Sequence, residues 1–178
     1  RLLGLRYSTK FSGNLMTILG PMFRSNKIII SNLTKAFPKM SLSEKKILSK
    51  KMWFNYGRIL AEYPFIPSFR KKKLEKYLDI EGIENLKKIK DSEKPSVFVS
   101  GHFNNFELMA MLIEREGIDL AAVYRPLNNK FLNLIMEYLR EKYICKHQVK
   151  KGLKGVKESL AFFKKGKSLA IMIDQRVS

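Results

Sequence analysis

From Pro95 onward, short apolar runs alternate with helix-length amphipathic segments, and this alternation constrains the fold more than any other feature. Val97-Phe98-Val99-Ser100 predicts a buried strand, and Asn105 to Glu116 a helix ended by Gly117. Ile118 to Tyr124 predicts the next strand and Asn129 to Tyr143 the next helix. Leu153 to Lys165 predicts a third helix stopped by Gly166, followed by a strand over Ser168 to Ile173. Strands separated by helices of this length pair in parallel through right-handed crossovers. The expected fold class is therefore α/β, a mostly parallel central sheet flanked by helices.

The amino-terminal part reads differently. After Pro38, Ser41-Leu42-Ser43-Glu44 is a capping-box pattern that opens a helix running to about Tyr63, before Pro64. Leu48, Met52, Tyr56, Ile59 and Tyr63 give that helix one apolar face. Leu78-Asp79-Ile80 suits a short strand, and Glu84 to Lys90 a helix. The expected organisation is one domain over 1–178, with 1–75 mainly helical and membrane-proximal and 76–178 carrying the strand/helix alternation. The chain opens at Arg1 and closes just past a buried strand, so it reads as a fragment of a larger domain, with an anchor before Arg1 an open question.

Charge narrows the partners. The 178 residues include 35 Lys or Arg against 16 Asp or Glu, yet 45% are hydrophobic, too many for a disordered basic tail. No acid precedes Glu44, while seven Lys or Arg lie between Arg1 and Lys39. In that stretch Phe11, Leu15, Ile18, Leu19 and Met22 fall at helical spacing. Such a segment suits an anionic membrane surface, and equally a basic helix packed on its own domain. No segment reaches the roughly 18 uninterrupted apolar residues of a membrane-spanning helix. Nucleic acid is not expected as a partner, for helix-turn-helix, zinc-ligand and glycine-aromatic strand patterns are all missing from the sequence. One Cys excludes an internal disulfide, and two His leave a metal site short of ligands, so no metal is expected.

The loops after the predicted strands hold the chemistry. Gly101-His102-Phe103-Asn104-Asn105-Phe106-Glu107 follows the first, Arg125-Pro126-Leu127-Asn128-Asn129 the second, and Asp174-Gln175-Arg176 the third. In an open parallel sheet all three emerge on the carboxyl edge, where such folds bind ligands. A carboxylate bonded to one imidazole nitrogen leaves the other free as a base. His102 and Glu107 meet in this way if His102 sits in the loop, Glu107 in the first helical turn, and Asn104 or Asn105 at the cap. Asn128 and Asn129 suit a cap of the next helix. Asp174 and Arg176 either shape a cleft or pair with each other, and His147 reads as a surface residue. Leu108, Met109 and Met111 suit either a core or a ligand tunnel.

The stretches Val99 to Glu107, Val123 to Asn129 and Asp174 to Arg176, with Asn32-Leu33-Thr34-Lys35-Ala36-Phe37-Pro38 upstream, resemble the lipid A biosynthesis acyltransferases, the late lauroyl and myristoyl transferases of Gram-negative bacteria. That family usually has Gly where Asn104 stands and Trp where Phe106 stands. The resemblance implies an acyltransferase acting without a cofactor at the cytoplasmic face of a bacterial inner membrane. Its donor would be acyl carrier protein and its acceptor a hydroxyl of a phosphorylated glucosamine lipid, with another glycolipid or a phospholipid as the alternative acceptor. His102 and Glu107 would be catalytic, with Glu107 orienting the ring. Arg125, Asn128, Asp174, Gln175 and Arg176 would bind substrate, Arg125 by holding a phosphate or offsetting an oxyanion. Arg140 and Lys151 match basic positions of the family but read as a solvated helix face, and Cys145 reads as a buried spectator.

Overall fold

The computed structural model describes residues 3–174. The chain divides between Phe65 and Ile66 into two compact units. The first is helical: α1 (Gly4–Phe23), α2 (Asn26–Ala36) and α3 (Leu42–Glu62), closed by a single 3-10 turn over Tyr63–Phe65. The capping box forms as expected. The Ser41 backbone N–H donates to the Glu44 carboxylate at 2.8 Å, and Glu44 N–H donates back to Ser41 Oγ at 3.3 Å. The Ser41 hydroxyl, donating to the same carboxylate at 2.7 Å, and then the Ser41 backbone N–H hold the Glu44 carboxyl below its usual range.

Small residues set the packing of α1 on α3. Thr9, Gly13 and Gly20 are buried on α1, and Gly57 is buried on α3. A Cβ at Gly57 would lie 2.3 Å from the Ser12 carbonyl and 2.8 Å from Gly13 Cα. Glycine is thus what lets the two backbones approach, and Ser12 Oγ donates to the Gly57 carbonyl at 2.7 Å across the contact. Because α1 packs through its small residues, its apolar stripe stays outside: Phe11, Ile18 and Met22 are exposed. No described helix is long and apolar enough to cross a membrane.

The second unit is α/β. It runs α4 (Ile66–Arg70), a 3-10 turn at Glu75–Tyr77, α5 (Ile83–Asp91), β1 (Val97–Ser100), α6 (Glu107–Arg115), β2 (Leu120–Tyr124), α7 (Lys130–Tyr143), β3 (His147–Lys150), α8 (Leu153–Lys164) and β4 (Ser168–Met172). The four strands form one sheet in the order β1-β4-β2-β3, and every pairing is parallel. Right-handed crossovers then place α6 and α7 over one face and α8 over the other. Leu120, Ala121, Val149 and Met111 are fully buried in this unit. Burying a side chain of Leu or Met size contributes about 1.5–3 kcal/mol. Arg115 grips Glu75 with two hydrogen bonds of 2.8 Å, and Arg70 reaches Glu114 at 2.6 Å, tying the short leading elements to α6.

Three local expectations differ from the structure. Val97–Ser100 forms β1, but as the end strand of the described sheet it is not buried, and Val97 and Val99 are exposed. Leu78–Ile80 forms no strand. His147–Lys150 does form one, at the edge of the sheet, although only Val149 of its four residues is buried. A four-residue edge strand with one core side chain leaves no periodicity to read.

Candidate active site

Strand order builds the site. β4 lies directly beside β1, with Ser100 paired to Met172, and Ile173 N–H continues the ladder to the Ser100 carbonyl at 3.0 Å. His102 and Asp174 each stand two residues beyond that last pair, so residues 72 apart in sequence emerge side by side. Gly101 makes room for them, since a Cβ there would sit 3.2 Å from the Asp174 carboxyl carbon and 2.8 Å from the Phe103 ring.

Asp174 takes hold of His102 twice. Its carboxylate accepts from the His102 backbone N–H at 2.9 Å and meets the ring Nδ1 at 2.8 Å. The backbone bond first, then the ring bond, hold the Asp174 carboxyl below its usual range. Facing a carboxylate acceptor, Nδ1 is the protonated nitrogen and Nε2 carries the lone pair. The Phe106 ring meets the imidazole edge-on, with centroids 4.9 Å apart, and limits its rotation.

The carboxylate at Nδ1 is therefore that of Asp174, where the expectation was Glu107. Glu107 is the first residue of α6 and is buried, and its Oε1 accepts from Arg140 Nε at 2.8 Å and from a terminal guanidinium nitrogen at 2.5 Å. The Arg140 side chain, read from sequence as a solvated helix face, is only 12% exposed. It also packs over the Tyr124 ring, 5.4 Å from its centroid. Tyr124 in turn donates its hydroxyl to Glu137, and Lys150 reaches the same carboxylate at 3.3 Å. The tyrosine hydroxyl leads the interactions that lower the Glu137 pKa, while burial and Glu137 raise that of Tyr124. None of these pairings was legible in the sequence. The spacing of Glu137 and Arg140 on one face of α7 is the signal that could have pointed to them.

The α6 cap also differs from expectation. Phe106 occupies the N-cap position without a side-chain cap bond, and Asn104 sits at φ 47°, in the left-handed region that Asn tolerates. That turn carries the chain from β1 into α6. Asn129 caps α7, accepting from Leu132 N–H at 3.1 Å, whereas Asn128 is exposed. Gln175 and Arg176 lie outside the described residues.

A cavity of about 350 Å³ opens between the carboxyl end of the sheet and α6 and α7. Met109, Ala110, Ile144 and Ile171 give it apolar walls, and His102, Arg125 and Lys151 also line it. Met109 thus faces the cavity, whereas Met111 belongs to the core. Cys145 is fully buried, its thiol 2.8 Å from the Leu120 carbonyl, and burial pushes its pKa up to about 12, the environment of a structural cysteine. His147 lies at the opposite edge of the sheet, half-buried, with Lys167 Nζ 3.1 Å from its Nε2 and Phe162 against its ring. Among the described residues there is no cluster of potential metal ligands.

The described residues thus set a histidine–carboxylate pair at the carboxyl edge of an α/β sheet, beside a cavity with apolar walls and cationic side chains in its lining. The family described as bacterial lipid A biosynthesis acyltransferase matches residues 1–178, and the chain belongs to it. It is 26% identical over 114 residues to a lipid A biosynthesis palmitoleoyltransferase of Escherichia coli (strain K12), covering 63% of this chain and 36% of that protein. It is 26% identical over 141 residues to a lipid A biosynthesis lauroyltransferase of the same organism, covering 78% of this chain and 45% of that one. A lipid A biosynthesis acyltransferase of Shigella flexneri matches over 63% of the chain at 26% identity. The chain spans less than half the length of these relatives.

Proposed function

We propose that the chain carries the chemistry by which a fatty acyl group passes from acyl carrier protein to a hydroxyl of a phosphorylated glucosamine lipid, a lipid A precursor. His102 Nε2 takes the hydroxyl proton as the oxygen attacks the thioester carbonyl. The tetrahedral intermediate collapses, the carbon–sulfur bond breaks, and the imidazolium returns the proton to the departing thiolate. The step balances without a cofactor or a metal. Asp174 fixes the tautomer and offsets the charge of the imidazolium. Glu107 and Arg140 form the buried base of the site and hold α6 against α7. Arg125 engages a lipid phosphate or the oxyanion, with Asn128, Gln175 and Arg176 assigned to the acceptor from sequence. The apolar wall of the cavity suits the acyl chain.

The basic surface gives this reading its partners. Residues 1–65 hold twelve Lys or Arg against two Glu, beside an exposed apolar stripe on α1. That combination suits an anionic membrane and supports a reaction at the cytoplasmic face of the inner membrane, and the same charge suits an acidic carrier protein. The observation that carries the proposal is the His102–Asp174 pair at an apolar cavity, in a member of this family. The test is His102→Ala in the full-length protein, assayed for acyl transfer to a lipid A precursor. Loss of transfer with retained folding is expected. Turnover at the wild-type rate would remove His102 as the base.

A further inference from the structure

Helix α7 is amphipathic with its polar side inward. The face turned to the second unit carries Asn133, Glu137 and Arg140, which bond the Leu127 N–H, the Tyr124 hydroxyl and Glu107. The opposite face carries Phe131, Leu132, Leu134, Ile135 and Tyr138, all exposed, with Phe131 at 71% and Leu134 at 66%. At about 100° per residue these five fall on one arc of roughly 160°. An apolar arc that wide on a soluble surface marks a contact site. The loops entering from the carboxyl edge add Phe103 and Leu127, also exposed. The amino-terminal turn of α7, at Asn129 to Phe131, begins four residues after Arg125 of the cavity wall.

Charge selects the occupant. Residues 125–151, which hold α7 and β3, contain seven Lys or Arg, Arg140 bound to Glu107 among them, against two Glu. A second copy of the chain would bring like charge to like charge, whereas an anionic lipid surface takes both the apolar arc and the cations around it. We propose that the outward face of α7 is a membrane-contact surface seated in the headgroup region of an anionic bilayer, so that the cavity mouth opens onto lipid. The inference deepens the acyl-transfer reading and rests on it for why the mouth should face lipid; the surface itself is argued from exposure and charge.

The test uses the full-length protein and phosphatidylglycerol vesicles, with phosphatidylcholine vesicles for comparison. The triple variant Phe131→Ser, Leu134→Ser, Ile135→Ser is first checked for wild-type circular dichroism and melting. Its partition onto phosphatidylglycerol is expected to weaken by about a hundredfold or more, given three apolar side chains removed from the interface. A separate Ile135→Trp protein, compared with its parent, is expected to gain fluorescence that nitroxide-labelled lipids quench. Partition of the triple variant equal to that of the parent, or an unquenched Ile135→Trp, overturns the proposal. So does a lipid-free dimer that the triple variant converts to monomer, for the face would then seat a second copy. Acyl transfer in detergent micelles reports on the chemistry separately: wild-type inactivity there counts against the reaction, not against the membrane face.

Discussion

Replacing Asp174 by Asn tests the pairing at the site more sharply than removing either partner. The carboxylate accepts two hydrogen bonds, from the His102 backbone N–H and from ring Nδ1. An amide presents one acceptor and one donor. If its oxygen keeps the backbone N–H, its NH₂ group faces Nδ1, and the ring must accept there and carry its proton on Nε2. The nitrogen assigned to take the hydroxyl proton is then already protonated. If the amide is turned the other way, its NH₂ group collides with the backbone N–H and that donor loses its partner.

The first arrangement removes the active tautomer, and the second keeps it only by facing the NH₂ group against a backbone donor, so the first prevails and the loss approaches that of removing a general base, about 10²–10⁴-fold in kcat. Asp174→Ala removes the charge-assisted bond without imposing the wrong tautomer, and should cost about 10–100-fold. The expected order is therefore wild type above Ala above Asn, with the difference in kcat. Single-turnover acyl transfer measures the rates, and nitrogen chemical shifts of the His102 ring report the tautomer. An Asn variant as active as the Ala variant, or one whose Nε2 is unprotonated, would refute the reasoning. Because the pair lowers the Asp174 pKa, its contribution is present above the ordinary carboxylate value, near 4, and is lost only as pH falls below it.

Cys145 is fully buried, and its thiol ionises only near pH 12. Iodoacetamide at pH 8 is expected to leave the folded protein unlabelled and active while labelling it in denaturant, as mass spectrometry would report; rapid labelling of the folded state would contradict the burial. Gly57→Ala should lower the melting temperature of the helical unit. Overpacking at 2.3 Å from the Ser12 carbonyl costs about 1–3 kcal/mol and the Ser12 bond about 1, against a helix-propensity gain of about 1. A higher melting temperature would mean that the helices do not need this glycine.

Which parts of the fold could be read follows from where the information is local. The capping box at Ser41 and Glu44 acts over three residues, and the strands at Val97, Leu120 and Ser168 are apolar runs bounded by Gly or Pro or by charged residues; all of these were legible. The place of β4 between β1 and β2 was not, because strand order depends on long-range packing that no local pattern encodes. The His102–Asp174 pair depends wholly on that order. That the loops after β1 and β4 share one sheet edge was therefore legible, but the carboxylate that meets the ring was not. Within His102-x4-Glu107 the acid near in sequence is not the one at Nδ1, because Glu107 begins a helix and its carboxylate binds Arg140.

The same limit governs α7. Its periodicity reveals two stripes, and a sequence reader assigns the apolar one to the core by default. Here the polar stripe is the inward one, because the floor of the site needs a guanidinium for Glu107 and a carboxylate for the Tyr124 hydroxyl. Supplying both from one face of a short helix leaves its large apolar side chains nowhere to go but out. On a surface that faced bulk water such a helix would be a liability, since polar residues could stand at 131 and 134 at little structural cost. The exposure of Phe131 and Leu134 fits the proposed seating in an apolar medium. On the proposed membrane seating, the polar interior of the site and the apolar exterior beside its mouth are two consequences of one helix, which would face the site on one side and lipid on the other.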